Sequence, residues 1–206
     1  MVDFAVDPSR TALLVIDLQN CFVEGYALSV PDGPLILERL NRLADICRGV
    51  GMQIIHTTHI LRADGSNIGI AAEIIAPQRD GILNEGEESA VLHKDLLVRP
   101  GDIVLNKPRF GAFYGTDLDL ILRAKGIDTV IISGLTTNVC CETTAREANA
   151  RDYKVHFLRD GTACFGTSEA TKEEIQRVVC STIGAIFGQV LTIDELVAKV
   201  SATVAV

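Results

Sequence analysis

The sequence lacks long apolar runs, and its first residues carry no targeting pattern. No stretch approaches the ~18 consecutive apolar residues that a membrane-spanning helix requires. The opening residues, MVDFAVDPSR, do not place basic residues before an apolar run, as a secretory signal peptide does. We therefore expect a cytoplasmic protein with no membrane partner.

Basic residues are in the minority. Lys and Arg number 19 in 206 residues, Asp and Glu number 27, and the net charge is −8. Nucleic acids and anionic membranes attract basic surfaces, so this balance argues against both as main partners. A small-molecule substrate is compatible with it.

The cysteines lack the spacing of a metal site or a disulfide framework. The chain has six, with no C-x-x-C motif, and only Cys140 and Cys141 are adjacent. Secreted disulfide scaffolds are usually much shorter chains, and zinc ribbons need paired cysteines. Internal repeats and low-complexity segments are also lacking.

Short apolar runs alternate with longer helical patterns along the whole chain. Such alternation predicts an α/β fold with a doubly wound, mostly parallel six-stranded sheet and helices on both faces, as one domain over residues 1–206. The region 61–100 is too long for a plain connection and is predicted to cover a pocket. The predicted strands are 11–17, 52–60, 102–107, 128–134 and 154–160, and the stretch GQVLTIDELVAKV (188–200) is predicted to form a short strand and a final helix. The main predicted helices are 33–51, 116–127, 140–152 and 167–187, with Thr116 and Thr167 or Ser168 as N-caps and Gly126 as a stop.

Three reactive side chains follow different predicted strands. Ligands of open parallel sheets bind at the carboxyl ends of the strands, where Asp17, Lys107 and Cys140 are expected. A helix N-terminus and a nearby lysine are expected to lower the pKa of a cysteine, and a carboxylate can move its proton. Backbone N–H groups of the turn before Cys140 can stabilise an oxyanion. These parts predict a cysteine amidohydrolase that uses no histidine base.

The segments LLVIDLQNCF, LNKPRFGAF and SGLTTNVCCETTAREA together resemble the three motifs of the isochorismatase-like cysteine hydrolases. The resemblance covers about residues 10 to 190. That family includes nicotinamidases, N-carbamoylsarcosine amidases, ureidoacrylate and maleamate amidohydrolases, and biuret-type hydrolases. The resemblance implies a catalytic triad of Asp17, Lys107 and Cys140, with a thioester on Cys140 and release of ammonia.

The same resemblance implies details around the nucleophile. A cis peptide bond is expected between Leu135 and Thr136, and the N–H groups of Thr136 and Cys140 are the expected oxyanion donors. Cys141 takes a position that is commonly apolar in the family, so it is expected to pack as a small hydrophobic residue.

The sequence departs from the nicotinamidase pattern at the metal site. Where that pattern has an Asp-x-His pair, this chain has His59 and Leu61. His56 and His59 are three apart on a strand, so they point to opposite faces and cannot chelate one ion together. We therefore predict no metal and no cofactor. The stretch LRADGSNIG is more similar to the carbamoyl and ureido branch, which favours a small linear amide, carbamoyl or ureido substrate.

The resemblance also suggests a homo-oligomer, a dimer or a tetramer.

Further side chains are candidates for substrate contact. Arg62, Arg109 and Arg146 are each able to bind a substrate carboxylate in bidentate fashion. The other candidates are Gln19, Asn20, Phe22, His59, Phe110, Phe113, Tyr114 and Thr137.

Other interpretations remain open. Asp17 alone fits a turn residue, Lys107 a solvated lysine and Cys140 a buried core thiol. The chain is also compatible with a vinyl ether hydrolase that uses Asp17 as an acid, with a nicotinamidase-like amidase, and with a non-catalytic binding or scaffold protein.

Overall fold

The structure is a computed structural model that describes residues 2–204. Its six strands form one sheet in the order β3-β2-β1-β4-β5-β6, and every neighbouring pair is parallel. The predicted doubly wound fold is confirmed; residues 1, 205 and 206 of the predicted domain lie outside the described part. The strands are β1 Thr11–Ile16, β2 Gln53–His59, β3 Ile103–Lys107, β4 Thr129–Leu135, β5 Lys154–Ala163 and β6 Gln189–Leu191.

Eight α-helices connect and cover the strands in the described chain. None of the helices within residues 2–204 is long and apolar enough to cross a membrane. The helices are α1 Asn20–Val23, α2 Gly33–Gly49, α3 Ala71–Ile74, α4 Ala76–Arg79, α5 Leu118–Ala124, α6 Glu142–Asn149, α7 Lys172–Thr182 and α8 Ile193–Val204. Short 3₁₀ turns occur at Pro8–Arg10 and Glu88–Ala90, and π-helical turns at Thr137–Cys141 and Ile183–Phe187.

Both faces of the sheet are buried, which explains why the strands read as continuous apolar runs. In β1, Leu13 and Val15 face a core that includes residues of α2 and α8. Leu14 and Ile16 face the opposite core, which includes residues of α5, α6 and α7. Successive side chains of one strand therefore pack into the helix layers on the two opposite faces of the sheet.

Two helix starts differ from the predictions. Helix α7 begins after Thr171, whose side chain forms a capping box with Glu174. Thr167 instead closes a preceding turn by accepting from the N–H groups of Glu169 and Ala170. Asp117 holds the N-cap position of α5, although Thr116 Oγ1 accepts from the Leu118 N–H at 3.2 Å. Ser, Thr and Asp side chains stabilise local turns as well as helix N-termini, so a suitable residue does not by itself fix where a helix begins.

The segment 61–100 is fastened to the sheet beside the carboxyl ends of β1 and β2. Gln19, which follows β1, forms an antiparallel bridge with Leu92, while the parallel bridge between Leu61 and Asn84 closes the segment on itself. The His93 N–H also donates to the Leu18 carbonyl at 2.8 Å. These contacts place the segment next to the predicted catalytic edge.

Candidate active site

Asp17 and Lys107 meet at the carboxyl edge of the sheet. Asp17 follows β1 and Lys107 ends β3, with β2 between them. Lys107 Nζ lies 2.7 Å from Asp17 Oδ2, and neither side chain has exposed surface. A buried ion pair of this kind needs close geometry, because each charge has lost its water.

Thr57 on β2 holds the Asp17 carboxylate in place. Its hydroxyl donates to Asp17 Oδ1 at 2.6 Å and accepts from the Asp17 N–H at 3.2 Å. Asp17 has a φ of 52°, a left-handed conformation that is uncommon outside glycine and often occurs at functional sites. Thr57 is not among the residues predicted from the sequence, although its place in HTTH at the end of β2, opposite Ile16, indicates this position.

Gly134 allows β4 to approach the end of β1. A Cβ at this position would lie 2.1 Å from the Ile16 carbonyl oxygen, and the residue has a φ of 112°. Only glycine fits such a close contact between two strands. The approach brings the turn after β4 next to Asp17.

Cys140 lies in the π-helical turn Thr137–Cys141 that follows β4. Its Sγ is 3.6 Å from Lys107 Nζ, and its side chain is almost fully buried. Lys107 Nζ also donates to the Arg109 carbonyl at 3.0 Å. The lysine therefore contacts the carboxylate, the thiol and a fixed backbone oxygen, so the three predicted catalytic side chains are together.

The charge state of Cys140 differs from the expectation of a lowered pKa. Burial raises the pKa of Cys140 to about 12; Lys107 acts in the opposite direction, and the Asp17 carboxylate adds to the rise. Burial by itself would lower the pKa of Lys107, but its contacts with Asp17 and Cys140 outweigh it and the net shift is upward. The raised pKa favours a neutral Cys140 thiol beside the Asp17–Lys107 ion pair.

Cys141 is a core residue, as predicted. It has no exposed surface and belongs to the apolar cluster on this face of the sheet. Burial raises the pKa of Cys141 well above that of a free thiol. Of the two adjacent cysteines, Cys140 is the one with a hydrogen bond to Lys107 in the described structure.

The turn before Cys140 is braced from several sides. The Leu135–Thr136 peptide bond is cis. The Thr136 carbonyl accepts from the Cys141 N–H at 3.1 Å, and Thr144 Oγ1 donates to the Cys140 carbonyl at 2.7 Å. That the N–H groups of Thr136 and Cys140 bind an oxyanion stays a prediction.

Three predicted substrate-binding residues have other partners. Gln19 is fully buried, and its side chain bonds the backbone of His59 and the Ala90 carbonyl. Asn20 Nδ2 donates to the Glu88 carbonyl at 2.8 Å, and the Thr137 hydroxyl donates to Gln176 Oε1 at 2.6 Å. Gln19 and Asn20 therefore fasten the segment 61–100, and Thr137 anchors the turn that holds Cys140 to α7.

The aromatic candidates separate into core and surface. Phe22 and Phe113 are buried in the two cores, whereas Tyr114 is 61% exposed. Phe110 is partly buried and meets the His59 ring edge to face at a centroid distance of 5.7 Å. Phe110 is thus the aromatic candidate that contacts another predicted site residue.

The arginine candidates also differ. Arg146 is paired with Glu142 at 2.7 Å, while Arg62 is exposed. Arg109 Nη1 donates to the carbonyls of Asn67 and Pro108, each at 2.6 Å. Its guanidinium therefore holds the segment 61–100 while its carbonyl holds Lys107.

A cavity of about 1130 Å³ opens between α2, the end of β5 and α7. None of the three predicted catalytic side chains lines it, so its volume does not mark the reactive centre. Gln176 lines this cavity and accepts a hydrogen bond from Thr137, so the cavity wall supports the turn that holds Cys140.

The histidines of β2 point to opposite faces, as predicted. His56 Nε2 lies 3.1 Å from Asp102 Oδ2, whereas the His59 ring packs against Phe110. Within residues 2–204, no three His, Cys, Asp or Glu side chains are arranged to hold a metal ion. Metal independence itself stays a prediction.

Comparison with known proteins supplies relatives over nearly the whole chain. The family model of the isochorismatase domain matches residues 11–195. The ureidoacrylate amidohydrolase RutB of Caulobacter segnis is 29% identical over 206 residues, which cover 91% of this chain and 84% of the relative. RutB of Methylorubrum extorquens is 31% identical over 218 residues, covering 96% and 85%.

Solved structures of similar proteins also cover nearly the whole chain. A cysteine hydrolase from Pseudomonas syringae pv. phaseolicola has a TM-score of 0.93 at 33% identity and covers 98% of this chain and 97% of its own. An N-carbamoylsarcosine amidase from Thermoplasma acidophilum has a TM-score of 0.73 at 25% identity, with coverages of 90% and 98%.

Proposed function

The chain belongs to the isochorismatase family of hydrolases, and we propose that within this family it is a metal-independent cysteine amidohydrolase. The proposed reaction hydrolyses a small linear amide, carbamoyl or ureido compound and releases ammonia. The observation that carries the proposal is the position of Lys107 Nζ, 2.7 Å from Asp17 Oδ2 and 3.6 Å from Cys140 Sγ.

The first half-reaction transfers the acyl group to sulfur. Asp17 accepts the thiol proton while Cys140 Sγ attacks the carbonyl carbon, so thiolate forms only when substrate is present. The N–H groups of Thr136 and Cys140 bind the oxyanion. The C–N bond then breaks, Asp17 donates the proton to the leaving nitrogen, and ammonia departs from a thioester.

The second half-reaction restores the enzyme. A water molecule gives a proton to Asp17 and adds to the thioester carbonyl, and the S–C bond breaks. The sulfur takes the proton back. Lys107 balances the negative charge at each stage, which its two short contacts allow it to do without moving.

The substrate class is supported by the relatives. The curated relatives are named ureidoacrylate amidohydrolases, and one structural neighbour is an N-carbamoylsarcosine amidase. Both names describe compounds whose carbonyl carbon bears a second nitrogen besides the one that can leave as ammonia. A cytoplasmic location, a single domain over residues 1–206 and a dimeric or tetrameric assembly belong to the same proposal.

An ammonia-release screen tests the proposal. The panel contains nicotinamide, maleamate, N-carbamoyl amino acids, ureidoacrylate and biuret. Ammonia from a linear amide or ureido compound is the expected result, and turnover of nicotinamide alone would instead indicate a nicotinamidase. Release of no ammonia, with cleavage of a vinyl ether, would indicate the ether hydrolase; no turnover of either kind would leave the scaffold interpretation.

A further inference from the structure

The imidazole of His59 lies on the same face of the sheet as the catalytic groups. His59 is the register partner of Lys107, and it is two residues beyond Thr57 on β2. Side chains two apart on a strand share a face, and the Thr57 hydroxyl contacts Asp17 on that face. The His59 ring is therefore directed to the side where Lys107 and Asp17 meet.

The position of this ring is closely defined. Its backbone N–H donates to Gln19 Oε1 at 2.7 Å, and its carbonyl accepts from Gln19 Nε2 at 3.1 Å. The ring packs edge to face against Phe110, at an interplanar angle of 85°. The side chain is held from both ends, as expected for a group that presents one atom in a set direction.

One ring atom has nothing to bind. His59 is 2% exposed, and its Nδ1 has no hydrogen-bond partner in the described structure. Buried polar atoms in proteins nearly always have a partner, since leaving one without costs the desolvation of that atom. An unpaired atom beside a catalytic group is therefore a site for a ligand atom.

The ring presents this atom as an acceptor. Burial, and secondarily the charge of Lys107, lowers the pKa of His59 to about 3, so the imidazole is neutral. A neutral imidazole has one N–H donor and one acceptor nitrogen. We assign the ring hydrogen to Nε2, because Nδ1 is the buried ring nitrogen without a hydrogen-bond partner in the described structure. The partnerless Nδ1 is then the acceptor.

We propose that His59 Nδ1 accepts the hydrogen of the substrate N–H that stays with the acyl group, so that the site selects ureido and carbamoyl compounds whose second nitrogen bears a hydrogen. This inference rests on the proposed amidohydrolase function. In that mechanism Asp17 serves the leaving nitrogen and the turn N–H groups serve the carbonyl oxygen. A ureido group has one further polar atom, the retained N–H, and His59 supplies the matching acceptor.

Binding to a protein that cannot turn over isolates this contact. Cys140→Ala protein is titrated calorimetrically with N-carbamoylglycine and with N-carbamoylsarcosine, which carries a methyl group in place of the retained hydrogen. We expect the N–H ligand to bind about five- to tenfold more tightly, the worth of one hydrogen bond. Adding His59→Phe, which keeps an aromatic edge against Phe110, should remove this preference, and His59→Asn should restore part of it.

His156→Phe in the same background is the matched control. His156 is also buried with both ring nitrogens unpaired, but it packs against Phe4. The control should keep the wild-type preference. A preference that survives His59→Phe, an equal affinity for both ligands before any change at His59, or no binding of either ligand would each overturn the inference.

Ammonia release separates failure of this inference from failure of the proposed function. If the protein with Cys140 intact releases ammonia from linear amides while the two ligands bind alike, the hydrolase proposal stands and the role of His59 falls. If His59 sets the ligand preference but no amide releases ammonia, the recognition stands and the reaction assigned to Cys140 falls.

Discussion

Lys107 Nζ and Asp17 Oδ2 lie 2.7 Å apart with no exposed surface on either side chain. Both residues come from strand ends that are separated by a third strand, so the pair links three strands of the sheet at one point. The same ammonium contacts the Cys140 sulfur at 3.6 Å. We expect the ion pair to have a structural role and, in the proposed reaction, a chemical role, and different experiments test the two.

The free energy of unfolding measures the structural role of the Asp17–Lys107 ion pair. Lys107→Met or Asp17→Asn leaves an uncompensated buried partner, and we expect each to lower the free energy of unfolding by about 3–5 kcal/mol. The double variant should recover much of this loss, because neither charge is then left alone. Urea denaturation measures all three.

The exposed pair Lys154–Asp128 provides a control for this comparison. Its atoms are 3.4 Å apart and both side chains are partly exposed. Lys154→Met should change the unfolding free energy by less than about 1 kcal/mol. Equal effects at Lys107 and Lys154 would contradict a buried, tightly coupled pair.

The two adjacent cysteines should behave differently in catalysis. Cys140→Ala and Cys140→Ser should lower kcat/KM by on the order of 10³-fold or more, since covalent catalysis has no substitute nucleophile. Cys141→Ala should keep most of the activity and lower stability modestly, because it removes only a small buried side chain. Ammonia release and thermal melting measure the two effects; the reverse pattern would reassign the nucleophile.

Thr57 should act through Asp17. Thr57→Val keeps the volume of the side chain but removes the hydroxyl that donates to Asp17 Oδ1 at 2.6 Å. Because Asp17 Oδ1 is then held less firmly, we expect kcat to fall about tenfold through misplaced proton transfer, while KM changes little. Thr57→Ser should retain activity, and a loss in Thr57→Ser equal to that in Thr57→Val would show that the hydroxyl is not responsible.

Acid should destabilise the fold through its buried histidines. Burial, with a contribution from Lys199, lowers the pKa of His156 to about 4 from an ordinary value of 6.5. The unfolded chain therefore binds a proton that the folded chain refuses, so stability is lost as the pH falls from 6.5 towards 4. The slope for this group is at most roughly 1.4 kcal/mol per pH unit.

Urea denaturation at pH 7 and pH 5 measures this dependence. His156→Phe should be flatter across the interval than the wild type, because it removes one proton-binding group from the unfolded state. A difference between the two pH values that is the same in wild type and His156→Phe would exclude His156 as a source of the acid sensitivity.

Much of the fold and the reactive centre was open to sequence reasoning. The apolar run TALLVI buries every residue, as expected for a strand covered on both sides. Because parallel strands align their carboxyl ends, Asp17, Lys107 and Cys140 were expected at one edge before any distance was known. The start of α7 was predicted at the wrong threonine, since Thr167 and Thr171 offer the same capping chemistry. Only Thr171 has a glutamate, Glu174, three residues later to complete a capping box.

The sequence by itself predicted the alternation of strands and helices and the three side chains that meet at one edge of the sheet, because periodicity and residue chemistry are local properties. The tertiary structure decided how those groups are tuned. Burial, which depends on every neighbouring element, raises the pKa of Cys140, where a helix N-terminus and a nearby lysine predicted the opposite. Packing also directed the Gln19 side chain to the backbone of the segment 61–100 and left His59 Nδ1 without a hydrogen-bond partner. Neither could be predicted, since hydrogen-bond partners come from residues distant in the chain.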